Sequence, residues 1–343
     1  MTILVAPLNW GLGHAGRCVP LVQRFLDEGH EVILGGDGES MTLLRRHFPK
    51  LRYTYLAPLQ LRYSASRRQV WAMLKALPKL IAWAYKDHAM LQALLREEKI
   101  DRVVSDNRFG LYAEGVETIY ITHQLHIFLP SPWRWLEPLV ARLHARIYTR
   151  YNKVWVPDYG EPEKSLSGEL GHPREKVNTK RLNGKLSYIG PLSRFCLIAE
   201  RSDNGTVRRS GLSGEAGLFD VVAVLSGLEP QRTLLEKEVL NCYRGSEQRV
   251  LIVQGLMNRP NTRIKRGNIT IVPTMKDSDL LPALLGARHI IARSGYSTIM
   301  DMETLGLLPS TTAGDQRPIL ELIPTPGQPE QEYLAFWTQK RTS

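Results

Sequence analysis

The chain has 343 residues, of which 43% are hydrophobic and 23% are charged. This is the composition of an ordinary globular protein, so it excludes disordered and fibrous chains, and the length predicts about two domains. Lys and Arg number 45 against 34 Asp and Glu, which gives a net charge of +11. Such an excess predicts an anionic partner, which is a phosphorylated small molecule, a membrane surface or a nucleic acid.

The three cysteines, Cys18, Cys196 and Cys242, lie far apart and include no CxxC pair. This argues against a disulfide framework and a zinc cluster, and it favours a reducing compartment. The first residues lack a basic segment and lead directly into glycines, so they are interpreted as a strand and not as a signal peptide. No uncharged apolar run has the length of a membrane-spanning helix. We therefore expect a cytoplasmic protein, either soluble or attached peripherally to the inner face of the cytoplasmic membrane.

Short apolar runs alternate with amphipathic stretches in both halves of the chain. In the first half, the runs predict strands at Ile3–Ala6, Glu31–Leu34, Arg102–Ser105 and Thr118–Thr122, and a helix at Pro20–Glu28. In the second half, they predict strands at Phe219–Leu225, Val250–Gln254, Ile269–Val272 and His289–Ala292. This alternation predicts the α/β class with doubly wound parallel sheets. We expect Rossmann-like domains at 1–190 and 219–343, joined by a Ser-, Gly- and Arg-rich linker at 191–218.

A glycine-rich motif, Gly11-Leu-Gly-His-Ala-Gly16, follows the first predicted strand. It fits the G-x-G-x-x-G pattern of dinucleotide-binding proteins, and Asp37 follows about 20 residues later, where such proteins have an acidic ribose ligand. One interpretation is an NAD(P)-dependent oxidoreductase, and another is a tight turn that needs glycine dihedral angles. Neither explains His14. Because backbone amides at a helix start favour the neutral imidazole, His14 suits a general base.

A second motif, Arg293-Ser-Gly-Tyr-Ser-Thr-Ile-Met-Asp301, follows the last of these strands. Free amides, hydroxyl groups and a cation at a helix start are what a phosphate group requires. Asp301, one turn into the helix, suits ribose hydroxyls. The alternative is that Ser297 or Thr298 simply caps the helix.

Two further turns contain small or polar residues at the ends of predicted strands. One is a Pro/Gly turn with Gln328, Glu330 and Gln331, whose amide and carboxylate groups suit sugar hydroxyls. The alternative for this turn is a proline-shaped bend before an acidic helix start. The other is Ser226-Gly227, where a ligand can approach the backbone closely.

Together these motifs resemble those of the family 28 glycosyltransferases, which include the N-acetylglucosaminyltransferase of the lipid-linked peptidoglycan precursor. Four further stretches resemble an uncharacterised, Bacteroidetes-type branch of that family: Ser105–Gly110, Ile121–Leu125, Trp155–Asp158 and Tyr188–Phe195. The resemblance implies the GT-B fold, in which two Rossmann-like domains face each other across a cleft. It implies an acceptor site in the first domain and a nucleotide sugar, usually UDP-GlcNAc, in the second. It also implies inversion at the anomeric carbon without a tightly bound metal.

The resemblance assigns roles to individual positions. His14 matches the family's candidate base, and Asp106 is the second candidate for the base or for a group that orients it. The donor-binding residues are then Ser226, Gly227, Arg293, Ser294, Gly295, Ser297, Thr298, Asp301, Gln328, Glu330 and Gln331. The acceptor-binding residues are Gly11, Gly13, Asn107 and His123. No metal ligand and no cofactor are expected, because the UDP-sugar is a substrate. Asp301 stands where the family usually has Glu, so its shorter side chain must reach farther.

Two segments, Val70–Leu95 and Ser131–Tyr151, interleave aromatic and basic residues. The first interpretation is that the aromatic side chains belong to the core and the cations form a solvated face. The alternative is docking on an anionic membrane through residues such as Trp71, Trp83 and Trp135. A nucleic-acid partner is not expected, because the chain has no zinc-finger spacing, no aromatic RNA-binding strand and no basic tail.

We therefore expect an inverting, metal-independent transferase that moves a sugar, GlcNAc in the first instance, from a UDP-sugar to a cell-envelope glycolipid or lipid-linked acceptor. An NAD(P)-dependent oxidoreductase is the alternative enzyme. The segment Leu307–Leu322 is longer than expected between two donor motifs. If it displaces the sugar pocket, the protein binds a sugar nucleotide without catalysis.

Overall fold

The computed structural model describes residues 1–59, 69–131, 133–172, 182, 184–200, 207, 215, 217–227, 229–309 and 317–341, and of residues 69–76 it describes the backbone alone. The chain forms two compact units. The first comprises Met1–Leu192 together with Gly327–Glu330, and the second comprises Ser193–Pro326 together with Gln331–Ser343. Half of the expected linker at 191–218 lies outside the described residues.

The first unit is a parallel sheet with helices. Its described strands are β1 Thr2–Pro7, β2 Glu31–Gly36, β3 Arg52–Tyr55, β4 Arg102–Asp106, β5 Glu117–Ile121, β6 Lys153–Val156 and β7 Leu186–Tyr188. Its described helices are α1 Leu12–Asp27, α2 Gly38–His47, α3 Gln69–Glu97 and α4 Glu137–Tyr148. The strand order is β3-β2-β1-β4-β5-β6-β7, and each neighbouring pair is parallel. Central parallel strands are covered on both faces, which is why β1 contains an uninterrupted apolar run.

The second unit repeats this architecture. Its described strands are β8 Val221–Val224, β9 Val250–Val253, β10 Ile264–Arg266, β11 Ile269–Val272, β12 His289–Arg293 and β13 Ile319–Ile323. The helices that follow them are α5 Gln231–Tyr243, α6 Asp277–Gly286, α7 Tyr296–Thr304 and α8 Pro329–Arg341. The order is β10-β11-β9-β8-β12-β13, with β10 antiparallel to β11 and the other neighbours parallel. The predicted α/β class with doubly wound sheets is confirmed, and each strand predicted from the sequence is present.

One predicted boundary is wrong. The first helix begins at Leu12 and not at Pro20, and the proline lies inside it. The glycine-rich turn therefore ends at Gly11, whose φ of 77° is in the left-handed region that glycine tolerates. As a result, His14 lies in the first turn of α1 and Gly16 is an ordinary helical residue.

A buried arginine joins four segments of the first unit. The Arg108 guanidinium donates to both carboxylate oxygens of Asp87, at 2.8 and 2.6 Å, and lies 3.4 Å from a carboxylate oxygen of Asp37. It also donates to the carbonyl oxygens of Ala57 at 2.7 Å and Pro7 at 3.5 Å. The charge is thus removed from water with its hydrogen-bonding capacity used, as a buried ion requires.

The chain after Arg108 packs closely against α3. A Cβ atom added at Gly110 would lie 2.1 Å from the carbonyl oxygen of Ala84 and 2.9 Å from the amide nitrogen of His88. The absence of a side chain at Gly110 therefore sets how closely this loop and the helix approach.

Candidate functional site

The candidate catalytic residues of the first unit lie at the carboxyl ends of its central strands. The chain runs from β1 outward through β2 and β3, then returns to β4 on the other side of β1. This reversal makes the β1–β4 edge the topological switch point, where ligands bind in open α/β sheets. Asp106 is the last residue of β4, His14 follows β1, and His123 follows β5.

His14 and Asp106 are in contact. Nδ1 of His14 lies 3.0 Å from Oδ1 of Asp106. The Asp106 side chain is fully buried, whereas the His14 side chain is 16% exposed. When Nδ1 donates its proton to the carboxylate, Nε2 keeps a lone pair, and this nitrogen has no hydrogen-bond partner among the described residues.

Their protonation states follow from burial and from one further cation. Burial lowers the pKa of His14, and the charge of Arg17 lowers it further. Asp106 raises this pKa, but the net effect is a lowered value. Burial by itself would raise the pKa of Asp106, but Arg17 and His14 outweigh burial and keep that pKa well below its usual range. The resting pair is therefore a neutral imidazole beside an ionised carboxylate.

Arg17 was not anticipated from the sequence. Its Nε donates to Oδ2 of Asp106 at 2.6 Å and its Nη2 forms a short hydrogen bond with Oδ1 of the same carboxylate. The same Nη2 lies 2.8 Å from Nδ1 of His14, and Nη1 lies 3.3 Å from Nδ1 of His123. Two features of the sequence could have pointed to Arg17. It lies one helical turn after His14, and it is the one charged residue between Leu12 and Gln23.

His123 is paired with Glu330, which belongs to the first unit with the short segment Gly327–Glu330. Nε2 of His123 lies 2.7 Å from Oε1 of Glu330. Because Arg17 can only donate, Nδ1 of His123 is the acceptor and Nε2 has the proton that Glu330 accepts. Burial would raise the pKa of Glu330, but the interaction with His123, above all this hydrogen bond, lowers it overall. The carboxylate expected to bind a donor sugar is thus already engaged in the first unit.

Asn107 has an unusual backbone conformation directly after Asp106. Its φ of 57° is in the left-handed region, which asparagine adopts more readily than most residues. Its side-chain oxygen accepts a hydrogen bond from the Tyr120 hydroxyl at 2.9 Å. The amide oxygen of this predicted acceptor residue is therefore held by Tyr120.

The acidic residue that the dinucleotide interpretation requires is committed elsewhere. One oxygen of Asp37 accepts from the Asn9 side chain at 2.9 Å, and the other faces Arg108. Asp37 is 8% exposed, so its carboxylate is also removed from solvent. These observations count against the oxidoreductase interpretation.

In the second unit, the predicted donor residues also gather at a switch point. The chain runs outward from β8 to β9 and later returns to β12 on the other side of β8. Ser226 and Gly227 follow β8, and Gly227 has a φ of 97° that permits a tight turn. Ser294 and Gly295 follow β12, so both turns lie at the carboxyl edge of adjacent strands.

The start of α7 is not capped by a side chain. Gly295 is the N-cap residue and makes no side-chain cap hydrogen bond, and the first turn contains no acidic residue. Ser297 and Thr298 are half-buried in that turn, so the alternative that one of them caps the helix is wrong. Uncapped amides and the helix dipole favour an anion at this position. The Ser294 hydroxyl is not available in the same way, because it donates to the main-chain oxygen of Gln331 at 2.8 Å.

Arg293 has a different environment from the one expected. Its side chain is 3% exposed, with Nη1 donating to the carbonyl oxygen of Pro324 at 3.1 Å and Nη2 to that of Gln231 at 2.7 Å. The guanidinium therefore connects the end of β13 to the start of α5. The expectation that Arg293 neutralises a leaving diphosphate stays a prediction, and in this structure its two amino groups donate to the backbone.

Asp301, the expected ribose ligand, accepts a hydrogen bond from the Ser193 hydroxyl at 2.5 Å. Burial raises its pKa to about 6, and the nearby charge of Arg194 offsets only part of that increase. Ionising Asp301 in the folded protein is therefore unfavourable, and additional hydrogen-bond donors would stabilise its carboxylate.

The expected sugar-binding turn is divided between the two units. Gln328 and Glu330 belong to the first unit and Gln331 to the second. The side-chain oxygen of Gln331 accepts from the backbone amide of Thr325 at 2.8 Å, so this side chain stabilises its own turn. Of the long segment Leu307–Leu322, residues 310–316 lie outside the described residues, and Leu307 and Leu308 are buried.

The two aromatic and basic segments differ from each other. Trp83 is buried and donates its ring N–H to the carbonyl oxygen of Ala57 at 2.8 Å, so it belongs to the core, as the first interpretation of this segment expects. The side chain of Trp71 lies outside the described residues. Trp135 is 73% exposed, and Leu139 and Leu143 follow it at helical spacing on the surface of α4. Three exposed arginines accompany them: Arg134, Arg142 and Arg146.

Among the helices in the described part of the chain, none is both long and apolar enough to cross a bilayer. Within the same residues, no group of three or more His, Cys, Asp or Glu side chains is arranged to hold a metal ion.

Comparison with solved structures identifies the class of fold. The glycosyltransferase of kitacinnamycin matches with a TM-score of 0.56 at 13% identity, over 98% of this chain and 84% of that one. LpCGTa in complex with UDP matches with a TM-score of 0.56 at 12% identity, over 99% and 82%. The spinosyn rhamnosyltransferase SpnG complexed with thymidine diphosphate matches with a TM-score of 0.53 at 13% identity, over 97% and 84%. The chain therefore has the α/β fold of the GT-B glycosyltransferases.

Sequence comparison identifies relatives along nearly the whole chain. An uncharacterized glycosyltransferase of Methanosarcina acetivorans is 26% identical over 357 aligned residues, which cover 97% of this chain and 82% of that protein. An uncharacterized glycosyltransferase of Methanosarcina mazei is 24% identical, with the same coverage of 97% and 82%. No protein-family model matches the chain.

Proposed function

We propose that this protein is an inverting, metal-independent glycosyltransferase that transfers a sugar from a UDP-sugar, with UDP-GlcNAc as the first candidate, to an acceptor hydroxyl. The single observation that supports it most is the contact between His14 and Asp106 at the switch point of the first unit. The relatives described as glycosyltransferases and the GT-B fold support the same reaction class.

In this proposal, His14 is the general base. The lone pair on its Nε2 accepts the proton of the acceptor hydroxyl as the oxygen attacks the anomeric carbon. The bond to the diphosphate oxygen breaks on the opposite face of the sugar, so UDP leaves with the electron pair and the configuration inverts. Asp106 fixes the tautomer of His14 and stabilises the imidazolium that forms, which is the function of the aspartate in a serine protease triad.

The UDP-sugar is proposed to bind the second unit. The uncapped first turn of α7 and the Ser226-Gly227 turn supply backbone amides for the diphosphate, which removes the need for a metal ion. Asp301 is proposed to accept from the ribose hydroxyls, and Gln328 and Gln331 to bind the sugar. Two neighbours of the same fold were solved with UDP and with thymidine diphosphate, which supports a nucleoside diphosphate as the leaving group.

The acceptor is proposed to be a cell-envelope glycolipid or a lipid-linked saccharide on the cytoplasmic face of the membrane. The exposed surface of Trp135, Leu139 and Leu143 beside three arginines supports this, because apolar side chains next to cations bind anionic lipid surfaces. Sedimentation with anionic vesicles should decrease when Trp135 is replaced by Ser. The matched control is Phe336→Ser, which removes another exposed aromatic residue, on α8. Equal binding by both variants and the wild type would exclude this surface.

The decisive experiment is calorimetric titration with UDP, UDP-GlcNAc and NADH, followed by a transfer assay with and without a chelator. We expect micromolar binding of UDP that weakens at least about tenfold in Thr298→Asp, because a carboxylate there repels the diphosphate. The same substitution at Thr42, in the first half of α2, is the control. His14→Ala should retain UDP binding and lose transfer, and the chelator should have no effect on transfer.

Each alternative function has its own outcome. NADH binding that is indifferent to Thr298→Asp would restore the oxidoreductase interpretation. UDP binding without any transfer or hydrolysis would indicate a sugar-nucleotide-binding protein. Transfer that survives His14→Ala would contradict the proposed base.

A further inference from the structure

Arg17 lies within hydrogen-bond distance of both members of the proposed catalytic pair. Its side chain is 1% exposed, and its guanidinium contacts both oxygens of Asp106. The same nitrogen that contacts Oδ1 lies 2.8 Å from Nδ1 of His14. An imidazole–carboxylate pair needs no such cation, so the presence of Arg17 requires an explanation. A role for Arg17 in this pair rests on the proposed function, because it presupposes that His14 is the base.

The contacts of Arg17 bear directly on the tautomer of His14. A guanidinium has donors only and stays charged at every relevant pH. If Nδ1 of His14 were unprotonated, it would accept from Arg17, and the proton would be on Nε2, where a base needs a lone pair. If Nδ1 has the proton, it donates to Asp106 at 3.0 Å, while Nε and Nη2 of Arg17 donate to the same carboxylate. Each arrangement leaves one unmatched contact: the first places Nδ1 and Oδ1 of Asp106 together as two acceptors, and the second places Nδ1 and Nη2 of Arg17, 2.8 Å apart, together as two donors. The second is the arrangement in which the buried anion gains a third nitrogen donor in addition to the Cys18 thiol.

The charges in this cluster also limit how readily His14 becomes protonated. With neutral His14, Arg17 and Asp106 cancel each other in a buried site. A proton on His14 then leaves one uncompensated positive charge, whereas without Arg17 the same proton would neutralise Asp106. The ionisable or polar groups that face this site come from several elements: Cys18 and Arg17 on α1, Asp106 on β4, Tyr120 on β5, His123 after β5 and Glu330 at the start of α8.

We propose that Arg17 is a positioning residue of the His14–Asp106 pair: it fixes Asp106 as an anion on the Nδ1 side of the imidazole and keeps Nε2 of His14 unprotonated for the acceptor hydroxyl. Glu330, paired with His123 on the other side of the guanidinium, supplies a second negative charge within the first unit. The lowered pKa of His14 agrees with this arrangement, since Arg17 is one of the groups that lower it.

The test is an NMR titration of the full chain labelled with ¹⁵N in histidine, with the His14 signals assigned by their loss in His14→Gln. In the wild type, the ¹⁵N shifts should show the proton on Nδ1 and an unprotonated Nε2 at neutral pH. A proton on Nε2 would overturn the proposal without any Arg17 variant, so the proposal does not depend on whether such a variant folds.

The variants then measure the coupling. In Arg17→Met, the pKa of His14 should rise by about one unit or more, because Asp106 is left as an unopposed counter-ion. Arg17→Lys retains the charge and should remain closer to the wild type. Arg24→Met is the control, because Arg24 is on the same helix but is exposed and paired with Glu28. An unchanged or lower pKa in Arg17→Met would overturn the proposal.

The acid limb of the transfer rate against pH should move upward in Arg17→Met by the same amount as the NMR titration. A merely structural residue would lower the rate at all pH values without moving that limb, and such a result would overturn the proposal. If the NMR titration moves while transfer does not depend on His14 at any pH, the proposed base is wrong and the Arg17 coupling stands. If His14 is essential for transfer but its pKa does not change in Arg17→Met, the proposed base stands and the proposed role of Arg17 is wrong.

Discussion

Replacing Asp301 by Asn should stabilise the protein at neutral pH. The carboxyl group of Asp301 has a pKa of about 6, against an ordinary value of 3.8, because burial raises the pKa more than the charge of Arg194 and the hydrogen bond from Ser193 lower it. The shift of about two units corresponds to about 3 kcal/mol for ionising the folded protein, at 1.36 kcal/mol per unit. This penalty is absent below the ordinary pKa of 3.8 and is constant above about pH 6. It grows between these two values, because there the unfolded chain has lost the proton and the folded chain still holds it. Asn retains an acceptor oxygen for Ser193 and cannot ionise.

The assay is urea denaturation of the wild type and Asp301→Asn at pH 4 and pH 8. The stabilisation should be about 0.6 kcal/mol at pH 4 and about 3 kcal/mol at pH 8, and the larger value corresponds to a rise in Tm of about 6–12 °C for a domain of this size. Ser193→Ala is the control of opposite sign. It removes the donor to the carboxylate, so it should destabilise the protein more at pH 8 than at pH 4.

A variant Asp301→Asn that is no more stable than the wild type at pH 8, or equally stabilised at both pH values, would refute the reasoning. The proposed contact with ribose adds a cost elsewhere. An Asn side chain accepts ribose hydrogen bonds more weakly than a carboxylate, so UDP should bind less tightly to the more stable variant. Stability and donor affinity should therefore change in opposite directions.

Three further outcomes follow from buried groups in the first unit. Burial lowers the pKa of His144 to about 4, so acid between pH 6.5 and 4 should cost the wild type up to about 3 kcal/mol; thermal melts of His144→Gln should show a smaller loss. Arg108→Met leaves the carboxylate of Asp87 buried without its cation and should cost about 3–5 kcal/mol in urea denaturation, part of which Asp87→Leu in the same chain should restore. Gly110→Ala should cost about 3 kcal/mol or more by the same assay, whereas Gly160→Ala, where a Cβ makes only ordinary contact, should be nearly neutral.

The strands were predictable from the sequence because central parallel strands are covered on both faces and form uninterrupted apolar runs. The start of α1 was not, because Pro20 gives a strong signal for a first helical turn, yet it is tolerated inside this helix. The sequence also does not show which tryptophan is buried. Trp83 and Trp135 both lie among basic residues, and only the packing shows that Trp83 is in the core and Trp135 is exposed.

The candidate site was predictable where it depends on strand ends. Parallel strands end at one edge, so His14 and Asp106 were expected near each other. The partners of these residues were not predictable, because Arg17 contacts a residue 89 positions away and His123 contacts one 207 positions away. No local pattern encodes such pairs. Arg293 shows the converse: its motif suits a phosphate, but two backbone carbonyls compete for the same guanidinium.

Arg108 has a consequence for how the first unit folds. Its partners Asp87, Ala57, Asp37 and Pro7 lie 21, 51, 71 and 101 positions away along the chain. In a partly folded unit, this guanidinium would be buried before all of its hydrogen-bond partners are in place. Burying an incompletely paired charge is unfavourable, so intermediates that have a formed core but lack one of these segments are disfavoured. The first unit should therefore fold and unfold cooperatively, with hydrogen exchange in β1, α2 and α3 occurring through one common opening event.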